Sequence, residues 1–301
     1  MNNIRSYLRK ASLGLQGLSG YIYKTAVDLH LISCPALGER ETADVVVSLT
    51  SYGRRVSSNV VFYTLVSLLR QKVQPQKIIL WLAKDEWKED IIPIKIKDLC
   101  KKGVDICLCD DIRSYKKLIP SLEAYPESTI ITFDDDVIYS KDTIETLIKV
   151  HDKYPGDIIC LHAAKVIISD GIPKDYIMWK DIQINDSGYL IFPIGEGGVL
   201  YPKGCLHEDV LKKDLFMRLA PLADDVWFWF CGLRKGTIKR FVPKRKHNYS
   251  FDNLYQFFHK GTSLTQNNRF ESSNDVQIRN VFDYYKLIID SNGNLIRIKE
   301  K

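Results

Sequence analysis

Three adjacent carboxylates, Asp134, Asp135 and Asp136, follow the β-branched and aromatic run Thr129-Ile130-Ile131-Thr132-Phe133, and apolar residues resume at Val137-Ile138-Tyr139. Such a run reads as a buried strand that delivers acids to the edge of a sheet. Neighbouring carboxylates repel one another unless a cation or solvent screens them. A divalent cation with hard oxygen ligands, Mg²⁺ or Mn²⁺, is one answer, and a solvated acidic turn is the other. The context favours the cation, because the triplet closes an apolar strand and a helix is predicted directly after it, over Lys141 to Lys153. A second acid pair, Asp224-Asp225, precedes the aromatic stretch Val226-Trp227-Phe228-Trp229-Phe230. Two carboxylates there sit just before an apolar, aromatic helix, where they complement its positive end.

Positioning these acids requires a sheet, and the first half of the chain alternates strand and helix. Strands are predicted at Asp44–Thr50, Lys77–Leu82 and Val104–Leu108, ahead of the acidic one. Helical patterns separate them: Ser57–Gln71, with Val60, Val61, Thr64, Leu65, Leu68 and Leu69 inward, a polar stretch over Asp85–Lys102 broken near Pro93, and Lys116–Tyr125. This alternation implies an α/β fold with a mostly parallel sheet covered by helices on both faces. In such sheets ligands gather at the carboxyl ends of the strands. Neither the glycine pattern of a dinucleotide-binding turn nor a P-loop follows the first strand. Further on, Ile158–Leu161, Ala164–Ile168 and Thr237–Pro243 read as strands, Gly195-Glu196-Gly197-Gly198 as a glycine-rich loop, and Ser291-Asn292-Gly293 as a hairpin turn. That loop either lets a ligand approach the backbone closely or is an ordinary turn.

The 301 residues, 45% hydrophobic and 27% charged, are ample for one large domain. We divide them into an N-terminal helical segment (1–40), a catalytic domain (41–250) and a C-terminal extension (251–301). A net charge of +6 and a pI of about 8.8 fall short of a dedicated nucleic-acid binder, so no nucleic-acid partner is expected. The seven cysteines are odd in number and lack zinc-site spacing, and they read as reduced. Ile4, Tyr7, Leu8, Ala11, Leu15, Leu18 and Ile22 recur at helical spacing beside Arg5, Arg9 and Lys10. Residues 1–30 are therefore either a docking helix or a peripheral membrane-surface contact.

The segments VVVSLTSYGRR, ITFDDDVIY, GGVLYP and LADDVWFW, in that order, resemble GT-A fold glycosyltransferases, in particular bacterial family-2-like enzymes of surface-polysaccharide (capsule and lipopolysaccharide) synthesis. The resemblance covers roughly residues 43 to 247. It implies a nucleotide-sugar donor, UDP-linked or similar, a saccharide or lipid-linked acceptor, and Mn²⁺ or Mg²⁺ as cofactor. On the same basis Asp134 and Asp136 match the DxD acids. Asp136 is the expected metal ligand, Asp134 or Asp135 reaches the ribose or supports the metal, and His247 is a candidate third ligand. Thr50, Ser51, Tyr52 and Arg54 fall where such enzymes hold nucleobase and phosphates, Asp111 where an acid meets base or ribose, and Lys117 near a phosphate. Asp225 matches the base of inverting members, with Asp224 orienting it or binding acceptor. A cytoplasmic location, peripheral on the inner membrane face, follows from the resemblance and the reduced cysteines. The alternatives are a sugar-phosphate nucleotidyltransferase, a glycoside hydrolase with paired carboxylates, and a non-catalytic carbohydrate-binding protein.

Overall fold

The computed structural model describes residues 18–182, 185–243, 249–250 and 273–297. Eight strands form the central sheet: β1 (Thr42–Thr50), β2 (Gln74–Ala83), β3 (Val104–Cys109), β4 (Thr129–Thr132), β5 (Ile158–Cys160), β6 (Asp186–Gly188), β7 (Val199–Tyr201) and β8 (Lys239–Phe241). Their order across the sheet is β6-β8-β5-β7-β4-β1-β2-β3. β1, β2, β3 and β4 run parallel to one another, as do β5 and β8, whereas β7 opposes both β4 and β5 and β6 opposes β8. The α/β class and mostly parallel sheet expected from the sequence are thus observed. Because β7 is reversed, its amino end lies at the edge where its parallel neighbours have their carboxyl ends. The glycine loop is thereby brought beside the acid triplet.

Side-chain alternation along β1 shows how the two faces are filled. Val45, Val47 and Leu49 enter the core on one face, with α2 (Val60–Leu69) and α3 (Thr143–His151), while Val46 enters the core on the other. That second core holds α4 (Asp224–Lys235) and α5 (Ser273–Tyr285), whose Ile278, Val281, Phe282 and Tyr285 pack into it. Of the C-terminal segment, residues 278–289 are therefore built into the main core. Residues 18–28 form α1, docked through Val27, and Asp28 accepts hydrogen bonds from Tyr63 Oη and Lys95 Nζ. The predicted Lys116–Tyr125 helix is split into a 3₁₀ turn, Arg113–Lys117, and a short helix, Ile119–Ala124, with Pro120 in its first turn. The C-terminal hairpin is shorter than expected, Ile288–Ile289 against Leu295–Arg297, because α5 continues through Tyr285. All seven cysteines are free.

Lys239 of β8 is fully buried, and its Nζ has no hydrogen-bond partner among the described residues. It lies beneath Gly232 of α4, where an added Cβ would sit 3.1 Å from Lys239 Cε. Burial pulls its pKa down to about 7. Between pH 7 and the ordinary lysine value the unfolded chain binds the extra proton, so Lys239 makes the fold more stable as pH rises. Lys239→Met should therefore stabilise the protein at pH 7, by about 1–3 kcal/mol. Urea midpoints for the two proteins should converge towards pH 10.

Candidate active site

Sheet and helices bring five acids to one rim. β4 ends at Thr132 and the buried Phe133 follows, its amide donating to Ser48 O of β1 at 3.1 Å. The chain then turns through Asp134, Asp135 and Asp136 and leaves as the short strand Val137–Ile138. Asp135, only 4% exposed, points back under β1. There its carboxylate accepts hydrogen bonds from Ser51 Oγ and from Arg55, each at 2.5 Å, and its backbone oxygen accepts from Thr64 Oγ1 at 2.8 Å. Burial raises the Asp135 carboxyl above its ordinary value, and Arg55 and Ser51 pull it back. Arg55 also pairs with Asp136 at 2.8 Å, so one guanidinium braces two of the three acids. Asp134 faces the opposite direction, towards Lys117 Nζ at 3.3 Å, and its amide donates to Tyr139 Oη at 3.0 Å.

Lys117 is the hinge of the constellation. Its ammonium lies 2.8 Å from Asp224, 3.3 Å from Asp134 and 3.6 Å from Asp225. The 3₁₀ turn after β3 delivers it, while Asp224 and Asp225 form the first turn of α4. Burial works against the Lys117 charge, but Asp134, Asp224 and Asp225 outweigh it and hold its pKa well above the ordinary lysine value. Asp225 is placed by a hydrogen bond from Gly195 N at 3.1 Å. Its crowded surroundings push its pKa up to about 7: burial raises it most, Lys117 lowers it, and the Asp224 and Asp134 charges raise it again. A quarter of the Asp225 side chain still reaches solvent, enough for a proton to come and go.

The glycine loop is a 3₁₀ turn, Gly195–Gly197, leading into β7. At Gly195 a Cβ would sit 2.6 Å from Lys117 Nζ, 3.2 Å from Asp134 Oδ1 and 3.3 Å from Asp225 Oδ1. Gly198 has φ of +95° and would place a Cβ 2.5 Å from the Phe133 ring. Glycine at these positions lets the loop close over the acids without displacing them. Gly195→Ala would push the flexible lysine end aside more readily than the backbone. We expect a correctly folded protein with roughly tenfold lower turnover, since a methyl of this size displaces the positioning groups by a fraction of an ångström to an ångström. Circular dichroism and initial rates check both halves of that statement.

Of the candidates read from the sequence, the structure gathers Ser51, Lys117, Asp134, Asp135, Asp136, Asp224 and Asp225. Thr50 Oγ1 is spent on Trp81 O of β2 at 2.8 Å. Asp111 pairs with Lys116 and accepts from Arg113 N at 2.9 Å, and makes no contact with the central acids. Arg54 is exposed, and it is the next residue, Arg55, that reaches the triplet. Tyr52 is half exposed, with the Arg55 guanidinium 5.5 Å from its ring centre. Arg55 and Tyr139 are contributions the sequence reading missed. The Gly53–Ser57 helix decides which arginine turns inward, and only its anchoring by buried Val56 reveals that.

His247 lies outside the described residues. Among those described, no three His, Cys, Asp or Glu side chains converge as a metal site. Two cations, Arg55 and Lys117, face five carboxylates, which leaves the cluster formally acidic by three. Asp134 and Asp136, with side chains 33% and 14% exposed, are open to a hard cation that completes its shell with water and phosphate oxygens, as Mg²⁺ does. The donor chemistry thus fits Mg²⁺ or Mn²⁺ shared with a phosphate ligand.

No family model matches the chain, and no curated protein does. Among solved structures it is similar to S. aureus TarS 1–349, at 11% identity over 82% of this chain and 73% of that one, with a TM-score of 0.45. TarS 1–349 in complex with UDP gives 12% identity over 71% and 63%, also at 0.45. CMP:2-keto-3-deoxy-manno-octonic acid synthetase complexed with CTP gives 10% over 68% and 90%, at 0.41.

Proposed function

We propose that this chain is an inverting glycosyltransferase that moves a sugar from a nucleotide-sugar donor, a UDP-sugar in the first instance, to a hydroxyl of a saccharide or lipid-linked saccharide in bacterial surface-polysaccharide synthesis. The observation that carries the reading is the meeting of Asp134, from the turn after β4, with Asp224 and Asp225, from the start of α4, on the single buried Lys117, with Asp225 poised near pH 7. A base of that pKa is matched to taking a proton from an alcohol under physiological conditions.

In this scheme the acceptor hydroxyl gives its proton to Asp225 as its oxygen attacks the anomeric carbon. The bond from that carbon to the donor phosphate oxygen breaks, and the nucleoside diphosphate leaves. Lys117 keeps Asp225 from rising further and holds Asp224 and Asp134 in place. Arg55 and Ser51 fix the Asp135 turn, from which Asp134 reaches Lys117 and Asp136 the same Arg55 guanidinium. Tyr52, backed by Arg55, offers a flat surface to a nucleobase. A bound Mg²⁺ or Mn²⁺, held by Asp136 and Asp134, would supply the positive charge that the diphosphate requires beside so many acids.

Thermal shift with UDP, GDP and CMP, each with and without Mn²⁺, tests the donor side. One nucleotide should raise the melting temperature, and only with metal. Release of nucleoside diphosphate from a matching nucleotide-sugar then tests transfer. Release of pyrophosphate from a nucleoside triphosphate and a sugar phosphate would instead identify a nucleotidyltransferase. A panel without any metal-dependent shift would sink the donor assignment.

A further inference from the structure

At the same rim a carboxylate and an imidazole meet that the transfer scheme does not use. Glu196 is the one residue of the turn Gly195–Gly197 that carries a side chain, and both neighbouring glycines are buried. Its carboxylate projects outward, with 54% of the side chain exposed, and lies 3.7 Å from Nδ1 of His162, itself 45% exposed. The backbone behind both is fixed. Glu196 O accepts from Tyr139 Oη at 3.1 Å, His162 O accepts from Ile194 N at 2.9 Å, and Gly198 O accepts from Leu161 N at 3.3 Å. At Gly197 a Cβ would sit 2.6 Å from His162 Cβ, so the loop lies directly against the histidine. An exposed pair of this kind adds little to stability. Groups held this way on a rigid turn are instead pre-set for a ligand.

Strand order identifies the ligand. β7 is antiparallel to both β4 and β5, so His162, two residues past the end of β5, stands at the same rim as the acid triplet. Across this part of the sheet the order runs β5, β7, β4, β1. Ser51 and Tyr52 follow β1, the triplet follows β4, and the loop that holds Asp225 through Gly195 N precedes β7. The pair therefore lies beyond the acids, three strand spacings or about 14 Å from β1, on the side away from the surface offered to the nucleobase. Glu196 directly follows Gly195, whose amide positions the base, and a side chain there reaches the sugar that brings its hydroxyl to Asp225. A carboxylate accepts hydrogen bonds and an imidazole both donates and accepts, which together match two hydroxyls on adjacent carbons of a pyranose ring. Glu196 adds one more carboxylate to an already acidic rim, so a neutral sugar suits it better than an anionic one.

We infer that Glu196 and His162 bind the acceptor sugar, each holding one of two adjacent hydroxyls beside the one that attacks, a role that rests on the transfer reaction proposed above. Dissociation constants from saturation-transfer NMR test it, with the full chain, with and without UDP and Mn²⁺, and a panel of neutral methyl hexopyranosides and their monodeoxy analogues. The parent should bind at least one glycoside, and loss of one ring hydroxyl should weaken that binding roughly tenfold. Glu196→Gln and His162→Ala should each weaken the full glycoside roughly tenfold. In each variant one deoxy analogue should then bind as well as the full glycoside does, because the partner of the missing hydroxyl is already gone. Circular dichroism, melting and the metal-dependent shift with nucleotide should be unchanged, since backbone bonds that these substitutions spare hold the loop. The inference is overturned if the parent binds no glycoside, if either variant binds as the parent does, or if every deoxy analogue loses as much in the variants as in the parent. A chain that passes these tests yet shows no metal-dependent nucleotide shift keeps the pair as a sugar site and sinks the donor reading, so the two failures are told apart.

Discussion

Asp225→Asn should leave nucleotide binding intact and lower the rate of sugar transfer by about 10²–10⁴, the usual worth of a positioned general base. The amide keeps the size of the side chain and can still face Gly195 and Lys117, so the loss isolates proton acceptance from folding. A sharper form of the same expectation uses pH. Only the deprotonated carboxylate is a base, so activity should rise with pH through a limb near pH 7, where burial and the Asp224 and Asp134 charges have pushed this group. Asp224→Asn removes a repelling charge and frees Lys117 to pair more closely with Asp225, so the limb should move to lower pH. Lys117→Met removes the opposing charge and should move it to higher pH. A limb that ignores both changes would assign the proton to another group. Stability should run the other way from activity: the folded chain holds the Asp225 proton to higher pH than the unfolded chain does, so this carboxyl makes the fold less stable as pH rises from about 4 to 7.

The largest effect on stability should come from a residue away from the acids. Asp209, 4% exposed, accepts from Tyr285 Oη at 2.7 Å, pairs with Lys212 Nζ at 2.6 Å, and receives the Arg234 guanidinium. Arg234 in turn lies over the Tyr285 ring, 4.7 Å from its centre. This cluster pins the C-terminal α5 to α4, the helix that carries Asp224 and Asp225. Burial pushes the Asp209 carboxyl up, but Lys212, Tyr285 and Arg234 outweigh it and hold its pKa below the ordinary value. Its stabilising contribution is thus full above the ordinary carboxylate value and is lost as pH falls from there through the depressed pKa of the folded state. Asp209→Ala takes the carboxylate away from the buried Arg234 guanidinium and the Tyr285 hydroxyl, and removing one partner of a buried ion pair typically costs about 3–5 kcal/mol. Urea unfolding followed by tryptophan fluorescence should show that loss at pH 7, and a smaller one once pH falls below the depressed value at which the folded carboxyl takes up its proton.

The parallel half of the sheet was legible because buried strands such as Val45-Val46-Val47 and Ile78-Ile79-Leu80 declare themselves by composition. The acid turn and the Asp224-Asp225 helix start were legible because carboxylates next to apolar runs stand out. Long-range choices were not. Nothing local tells that Arg55 rather than Arg54 meets Asp135, since both sit in one short helix. Lys117 reads from the sequence as a phosphate contact, yet its position after β3 brings it to three acids from two distant segments. The structural partners of Asp209 come from residues 212, 234 and 285, a set no spacing rule anticipates.

β7 has a further consequence, for synthesis. Its residues 199–201 pair on one side with β4 at 130–132 and on the other with β5. Until it arrives, the half-sheet β3-β2-β1-β4 ends in a bare rim of amides and carbonyls, the kind of edge that recruits other chains. Roughly seventy residues separate the two partners, which at ribosomal speeds is on the order of 4–14 s of nascent-chain exposure. Yield on expression should therefore respond to how fast residues 133–198 are translated and to how well holding chaperones cover that rim in the interval.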